Sequence, residues 1–171
     1  MEALNRPSIL EFGQKEKMPV ALVLDNVRSA LNVGSAFRTA DGFAAEKIWL
    51  CGITAMPPSR EIMKTALGAT ESVVWEHAHD TAELLARLSG DGWLVMAVEQ
   101  TEPKTWLHDF QPKKGQKTAL VFGNEVDGVA ETALAMCHGS IEIPQSGTKH
   151  SLNISVAVGI VLWELFRKLN S

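Results

Sequence analysis

The stretch TALVFGNEVDGVAETALAMCHGSIEI, residues 118–143, decides the fold. TALVF (118–122) and SIEI (140–143) have the length and apolarity of short buried strands, and VAETALAMC between them has helical spacing. A strand, a helix and a strand in that order make a crossover, which returns the chain to the sheet in the same direction. The same alternation extends towards the amino terminus. VALVL (20–24) is followed by VGSAFRTA, KIWL (47–50) by SREIMKTAL, SVVW (72–75) by TAELLARL, and WLVMAV (93–98) adds a further strand. The pattern predicts an α/β fold, a mainly parallel sheet flanked by helices.

Local signals punctuate these elements. Asp80 and Glu83 are spaced like a capping box, and Gly42 and Gly90 follow their helices. Asn32 is expected to cap the helix after the first strand, and Ser151 the last helix. QTEPKTWLHDFQPKKGQK (100–117) is the longest irregular stretch, with two prolines and four lysines. The strands on either side are too alike for it to be an interdomain linker. The expected organisation is one domain over 1–171, with 1–19 a short polar N-terminal segment.

Composition narrows the function classes. With 171 residues, 46% hydrophobic and 21% charged, the chain can bury a substantial core. Its net charge of −4 argues against broad attraction to phosphate backbones, so a nucleic-acid site must be local, and no DNA partner is expected. No stretch reaches the roughly 20 apolar residues needed to span a bilayer, so no membrane partner is expected. Cys51 and Cys137 lack metal-binding or disulfide-scaffold spacing and point to reduced thiols in a cytoplasmic protein. The last helix, from about Leu152 to Leu169, opens with almost no polar face and must be covered on several sides. The sheet covers one side, and a second copy around a two-fold axis is the expected cover for the other, making a homodimer.

Three loops carry polar residues suited to chemistry. DNVRSALNVGSAFRTADGF (25–43) holds Asn32, Gly34 and Arg38; spacing alone does not separate a site from an ordinary strand-to-helix turn. FGNEVDG (122–128) brackets Asn124, Glu125 and Asp127 with two glycines, which permit turns with positive φ and expose backbone amides. It is neither a dinucleotide fingerprint nor a P-loop. IPQSGTKHSLNISVAVGI, from Ile143, runs from a strand end through a polar loop into an apolar helix. Other features weigh less. His77 and His79 alternate but read better as a solvated strand end than as metal ligands, and no metal is expected. Trp49, Trp75, Trp93 and Trp163 read as core or interface, with base stacking a minor alternative for Trp106.

Read jointly, the three blocks resemble the signature motifs of the SpoU/TrmH family of RNA methyltransferases in the SPOUT superfamily. The resemblance runs from about Val20 to Lys168, with NxGxxxR at Asn32–Arg38, FGNE at Phe122–Glu125 and IPxxGxxxSLNxSVA at Ile143–Ala157. VEQT (98–101) and WELFRK also look like the catalytic domain of tRNA guanosine 2'-O-methyltransferases. The resemblance implies a C-terminal deep trefoil knot, which general rules of chain topology would not predict. It implies S-adenosyl-L-methionine as methyl donor, held by Phe122, Gly123, Asn124, Gly128, Ile143, Pro144, Ser151 and Leu152. Arg38, Asn32, Glu125, Ser151 and Asn153 would surround the reacting centre.

The family arginine is implicated in activating the ribose hydroxyl. A guanidinium with a pKa above about 12 is a poor base, so Arg38 is better read as gripping the phosphate beside the target ribose. Glu125 would hold Arg38 or Asn32. The implied substrate is tRNA, at a D-loop guanosine, with rRNA as the alternative; a catalytically silent RNA-binding protein and a small-molecule-binding α/β protein are the competing classes. No long basic terminal extension is expected, and the short polar segment before Val20 with Arg28, Arg60, Lys64, Lys149 and His150 is the expected RNA surface once two subunits combine, with Lys113, Lys114 and Lys117 more simply a solvated loop.

Overall fold

The computed structural model describes residues 5–171. Seven strands make one sheet: β1 (Met18–Asp25), β2 (Ala45–Cys51), β3 (Trp75–Ala78), β4 (Leu94–Val98), β5 (Thr105–Trp106), β6 (Thr118–Phe122) and β7 (Gly139–Glu142). Their order is β3-β2-β1-β6-β4-β7-β5, and every neighbouring pair is parallel. The helices are α1 (Ile9–Gln14), α2 (Ala30–Gly42), α3 (Arg60–Ala66), α4 (Ala69–Ser72), α5 (Thr81–Gly90), α6 (Glu131–Leu134) and α7 (Ile154–Leu169).

Strand alternation divides the core in two. On one face Val20, Leu22, Leu24, Ile48, Leu50, Leu120, Phe122 and Ile141 pack with α2, α3 and the buried stripe Val158, Val161, Leu162 and Leu165 of α7. On the other, Ala21, Val23, Trp49, Val95, Ala119 and Val121 pack against Leu84, Leu85 and Leu88 of α5 and Ala133 of α6. Strands buried on both faces explain why their sequences are continuously apolar. Burial also pushes the free thiols up, Cys51 to about 12 and Cys137 to about 11.

Several local expectations are corrected. Ser29, not Asn32, caps α2: its Oγ accepts the Asn32 N–H at 3.2 Å. Asn153, not Ser151, caps α7, its Oδ1 accepting the Ser155 N–H at 2.9 Å. Gly42 and Gly90 are the last residues of α2 and α5 and do not follow them. Asp80 caps α5 by accepting the Glu83 N–H at 2.9 Å. SVVW does not form the third strand as a block, because Ser72 ends the one-turn α4 and β3 begins at Trp75. The irregular 100–117 stretch contains the edge strand β5, and the polar amino-terminal segment contains α1, closed by a capping box between Ser8 and Glu11.

The crossing order of the last strands accommodates the knot that the resemblance implies. The chain leaves β4, adds β5 at the far edge, returns to β6 on the other side of β4, then inserts β7 between β4 and β5. Among the described residues, no helix is long and apolar enough to cross a membrane.

Candidate active site

The candidate residues fall into two groups, both at the carboxyl ends of the strands. The first forms where the loops after β1, β2 and β6 meet. Asn26, at φ 52°, follows β1; its Oδ1 accepts the Ile53 N–H at 3.0 Å and its carbonyl accepts Asn124 Nδ2 at 2.7 Å. Val27 N–H donates to Thr54 Oγ1. The Glu125 carboxylate takes the N–H groups of Arg28 (3.1 Å) and Ser29 (3.0 Å). Burial acts to raise the Glu125 pKa, but hydrogen bonds from the Ser29, Glu125 and Arg28 N–H groups and the Asn32 side chain outweigh it and hold it below the usual value.

The two glycines of the 122–128 loop have separate physical reasons. Asn124 and Gly128 exchange both backbone hydrogen bonds at 2.9 Å, closing a tight turn in which Gly128 sits at φ 70°. A β-carbon on Gly123 would lie 2.1 Å from the Gly128 carbonyl carbon and the Val129 nitrogen. Asn124 Oδ1 also accepts the N–H groups of Val126 and Asp127, so a nearly buried side chain organises the turn from inside. Below it, the fully buried Asp25 accepts Thr81 Oγ1 at 2.6 Å and the Ala130 N–H at 3.0 Å, joining β1 to the starts of α5 and α6.

The second group lines a cleft beside the carboxyl ends of β4 and β7. Ile143, Ser151 and Leu152 border it, together with Val98, Glu99, Gln100, Ile141, Glu142, Gln145 and Ala157. Its lining mixes apolar and polar side chains. Glu99 joins the cleft to the first group: one carboxylate oxygen accepts the Val129 N–H at 3.0 Å, and the other the Gln100 N–H at 2.9 Å. A β-carbon on Gly128 would lie 2.4 Å from Glu99 Oε2. Gln100 Nε2 donates to the His150 carbonyl, tying the loop after β4 to the loop before α7. Glu142 pairs with Lys104 at 2.8 Å.

Asn32 and Glu125 are thus brought together, as are Ile143, Ser151 and Leu152. Arg38 stands apart, exposed and roughly 9 Å further along α2 than Asn32, with no ion pair among the described residues. Glu125 holds the backbone at Arg28 and Ser29, not Arg38. Of the other residues expected to touch a donor, the Phe122 side chain is buried in the core, Asn124 is engaged within its own turn, and Pro144 is exposed outside the cleft lining. Gly123 and Gly128 contribute backbone shape, and Asn153 caps α7 at the cleft's margin. Sequence reasoning missed Glu99 and Gln100 as lining residues. Their signals are their place directly after an apolar strand and the VEQT block (98–101) that carries part of the resemblance.

Outlying features settle into structural roles. His77 Nε2 lies 3.0 Å from the Gly52 carbonyl, with His79 edge-on to its ring, and no group of three ligating side chains exists among the described residues. Trp106 lies on the edge strand β5 with Lys104 over its ring. Lys117 pairs with Glu46, and Lys64 with Glu61.

Similarities to known proteins agree with this geometry. The chain is 30% identical over 167 residues to the 23S rRNA (guanosine-2'-O-)-methyltransferase RlmB of Vibrio vulnificus, covering 96% of this chain and 66% of the relative. It therefore spans just under two thirds of that relative's length. The AdoMet-bound rRNA methyltransferase from Sinorhizobium meliloti superposes with a TM-score of 0.83 at 27% identity, covering 94% of this chain and 61% of that one. A structure concerned with 2-OH methylation of C/U34 on tRNA gives a TM-score of 0.78 at 26% identity, covering 90% of this chain and 99% of that one. The model of the SpoU rRNA methylase family matches residues 19–163, and with the loops, sheet and cleft in place the chain belongs to that family.

Proposed function

We propose that this protein is an S-adenosylmethionine-dependent RNA 2'-O-ribose methyltransferase acting as one domain. The observation that carries the reading is the cleft after β4 and β7, with apolar Val98, Ile141, Ile143 and Leu152 flanked by Glu99, Gln100, Gln145 and Ser151. Such a lining fits a flat purine with a polar, cationic tail. When bound, the donor supplies a methyl group already activated on a positive sulfur, so this chain has to supply binding, orientation and a path for one proton.

Ser151 and the backbone at Ile143 and Leu152 hold the donor. Arg38, exposed and without an ion pair among the described residues, grips the phosphate beside the target ribose and orients the 2'-hydroxyl; that phosphate can take the departing proton, a guanidinium being a poor base. Glu125 fixes the loop that carries Asn32, and Asn153 fixes the start of α7 beneath the reacting centre. The working form is a homodimer, a second copy covering the exposed Val156 and Trp163 on α7, in the cytoplasm, where the thiols remain reduced.

The substrate read from the motifs is tRNA, at a D-loop guanosine. The similarity to a 23S rRNA guanosine 2'-O-methyltransferase favours rRNA as a second reading, with the same chemistry. Calorimetry with S-adenosylmethionine, followed by transfer of labelled methyl to separated tRNA and rRNA, tests both. Arg38→Ala is expected to slow transfer by at least roughly 100-fold while leaving donor affinity intact. Donor binding without transfer to either RNA would instead support the catalytically silent reading.

A further inference from the structure

Between Ile143, which packs against the core, and Asn153, which caps α7, every residue from 144 to 152 is exposed. The stretch borders the cleft through Gln145, Ser151 and Leu152. Its backbone joins no strand and no helix, and a β-carbon on Gly147 would meet nothing within 4 Å. Among the described residues, one hydrogen bond ties it to the rest of the fold: Gln100 Nε2 donates to the His150 carbonyl.

That tether starts from a fixed point. Glu99 Oε1 accepts the Gln100 N–H at 2.9 Å, and Glu99 Oε2 accepts the Val129 N–H at 3.0 Å. The next residue, Thr101, is held through its hydroxyl by Ser140 on β7. The cleft beneath has a volume of about 80 Å³, against roughly 300–1,000 Å³ for pockets that enclose a small-molecule ligand. With the tether made, the space is too small for an adenosine bearing an amino-acid tail. Val98 and Ile141 cannot yield, because they are register partners in paired strands. The 144–152 stretch can, since a single neutral hydrogen bond shifts such an equilibrium by only about two- to tenfold.

Resting on the methyltransferase reading, which makes S-adenosylmethionine the occupant of this cleft, we propose that residues 144–152 form a strap that opens to admit the donor and closes over it. Gln100 is the positioning residue that latches the strap through the His150 carbonyl. It acts on the entry and exit of the donor and leaves the methyl group untouched. Without the latch the strap is open more of the time, whether the cleft is empty or filled, so exchange quickens in both directions.

Trypsin reads the strap without any donor, because Lys149 is the one lysine or arginine between residues 143 and 166. Cleavage that requires opening follows the open population. Gln100→Ala should therefore raise the rate of cutting after Lys149 about fivefold. Cutting after the exposed Lys113 and Lys114 should stay at the parent rate, which shows that the variant is folded. S-adenosylmethionine should slow the Lys149 cut in the parent protein. In stopped-flow mixing with S-adenosylmethionine, association and dissociation should both quicken in the variant, with Kd little changed. Equal cutting of parent and variant after Lys149 would overturn the proposal. Faster dissociation with unchanged association would also overturn it, since that marks a side chain that merely touches the donor. A parent protein that binds no S-adenosylmethionine would count against the methyltransferase reading, and a faster Lys149 cut in the variant would still support the latch.

Discussion

At Gly34 an added β-carbon would lie 2.1 Å from Thr65 Oγ1 and 2.3 Å from the Ile62 carbonyl oxygen. The glycine sits where α2 crosses α3, and Thr65 Oγ1 seals the crossing by donating to the Leu31 carbonyl. One of the close atoms is backbone, so Gly34→Ala must shift a helix and should cost about 1–3 kcal/mol in urea unfolding. Glu125 offers a pH test. Its pKa lies lower in the folded chain than in the unfolded one, so its stabilising contribution is complete above the ordinary glutamate range, near about pH 4.3, and is lost as pH falls through the folded value. Glu125→Gln should therefore melt below the parent at neutral pH, and the gap in Tm should close in acid.

Element boundaries follow from hydrogen bonds that residue types alone leave open. Ser151 and Asn153 both suit a helix cap, and the chain uses Asn153, which frees Ser151 to border the cleft. Asn153→Ala should then cost about 1 kcal/mol of stability, whereas Ser151→Ala should leave urea unfolding unchanged and weaken S-adenosylmethionine binding in calorimetry. At the start of β7, His138 does the work of strand backbone: its N–H donates to the Val95 carbonyl and its Nδ1 accepts the Val95 N–H, both within 2.9 Å. At the other end of the fold, Lys168 on α7 donates to the carbonyls of Leu107, His108 and Phe110, pinning the stretch that follows the edge strand β5.

Over the whole molecule, α7 has two apolar faces and the fold covers one of them. Val158, Val161, Leu162 and Leu165 are buried on the sheet, while Val156 and Trp163 stand half exposed, with Trp163 packed on Phe43 and Phe166. A second copy seated there would bury this aromatic cluster. Trp163→Glu should shift the protein from dimer to monomer in sedimentation velocity, because a carboxylate cannot be desolvated in such an interface without a partner. A parent protein that sediments as a monomer at micromolar concentration would remove the dimer from the proposed function.

The positions of five strands were legible in the sequence to within about two residues, because a strand buried on both faces must be apolar throughout and that demand is local. The three polar loops were legible for a similar reason: each interrupts an apolar run. Their assembly was not. Arg28 and Glu125 meet across 97 positions of sequence, Asn26 and Asn124 across 98, and Asp25 and Ala130 across 105. The placement of β6 and β7 on either side of β4 determines which loops converge, and neither periodicity nor capping chemistry encodes that order. Glu99 and Gln100 became cleft residues, and Phe122 a core residue, only because the folded sheet turned them there. The sequence by itself determined which segments are buried and which loops are polar, through the free energy of removing apolar side chains from water. The tertiary structure decided which loops share a site, since that rests on hydrogen bonds between residues about 100 positions apart.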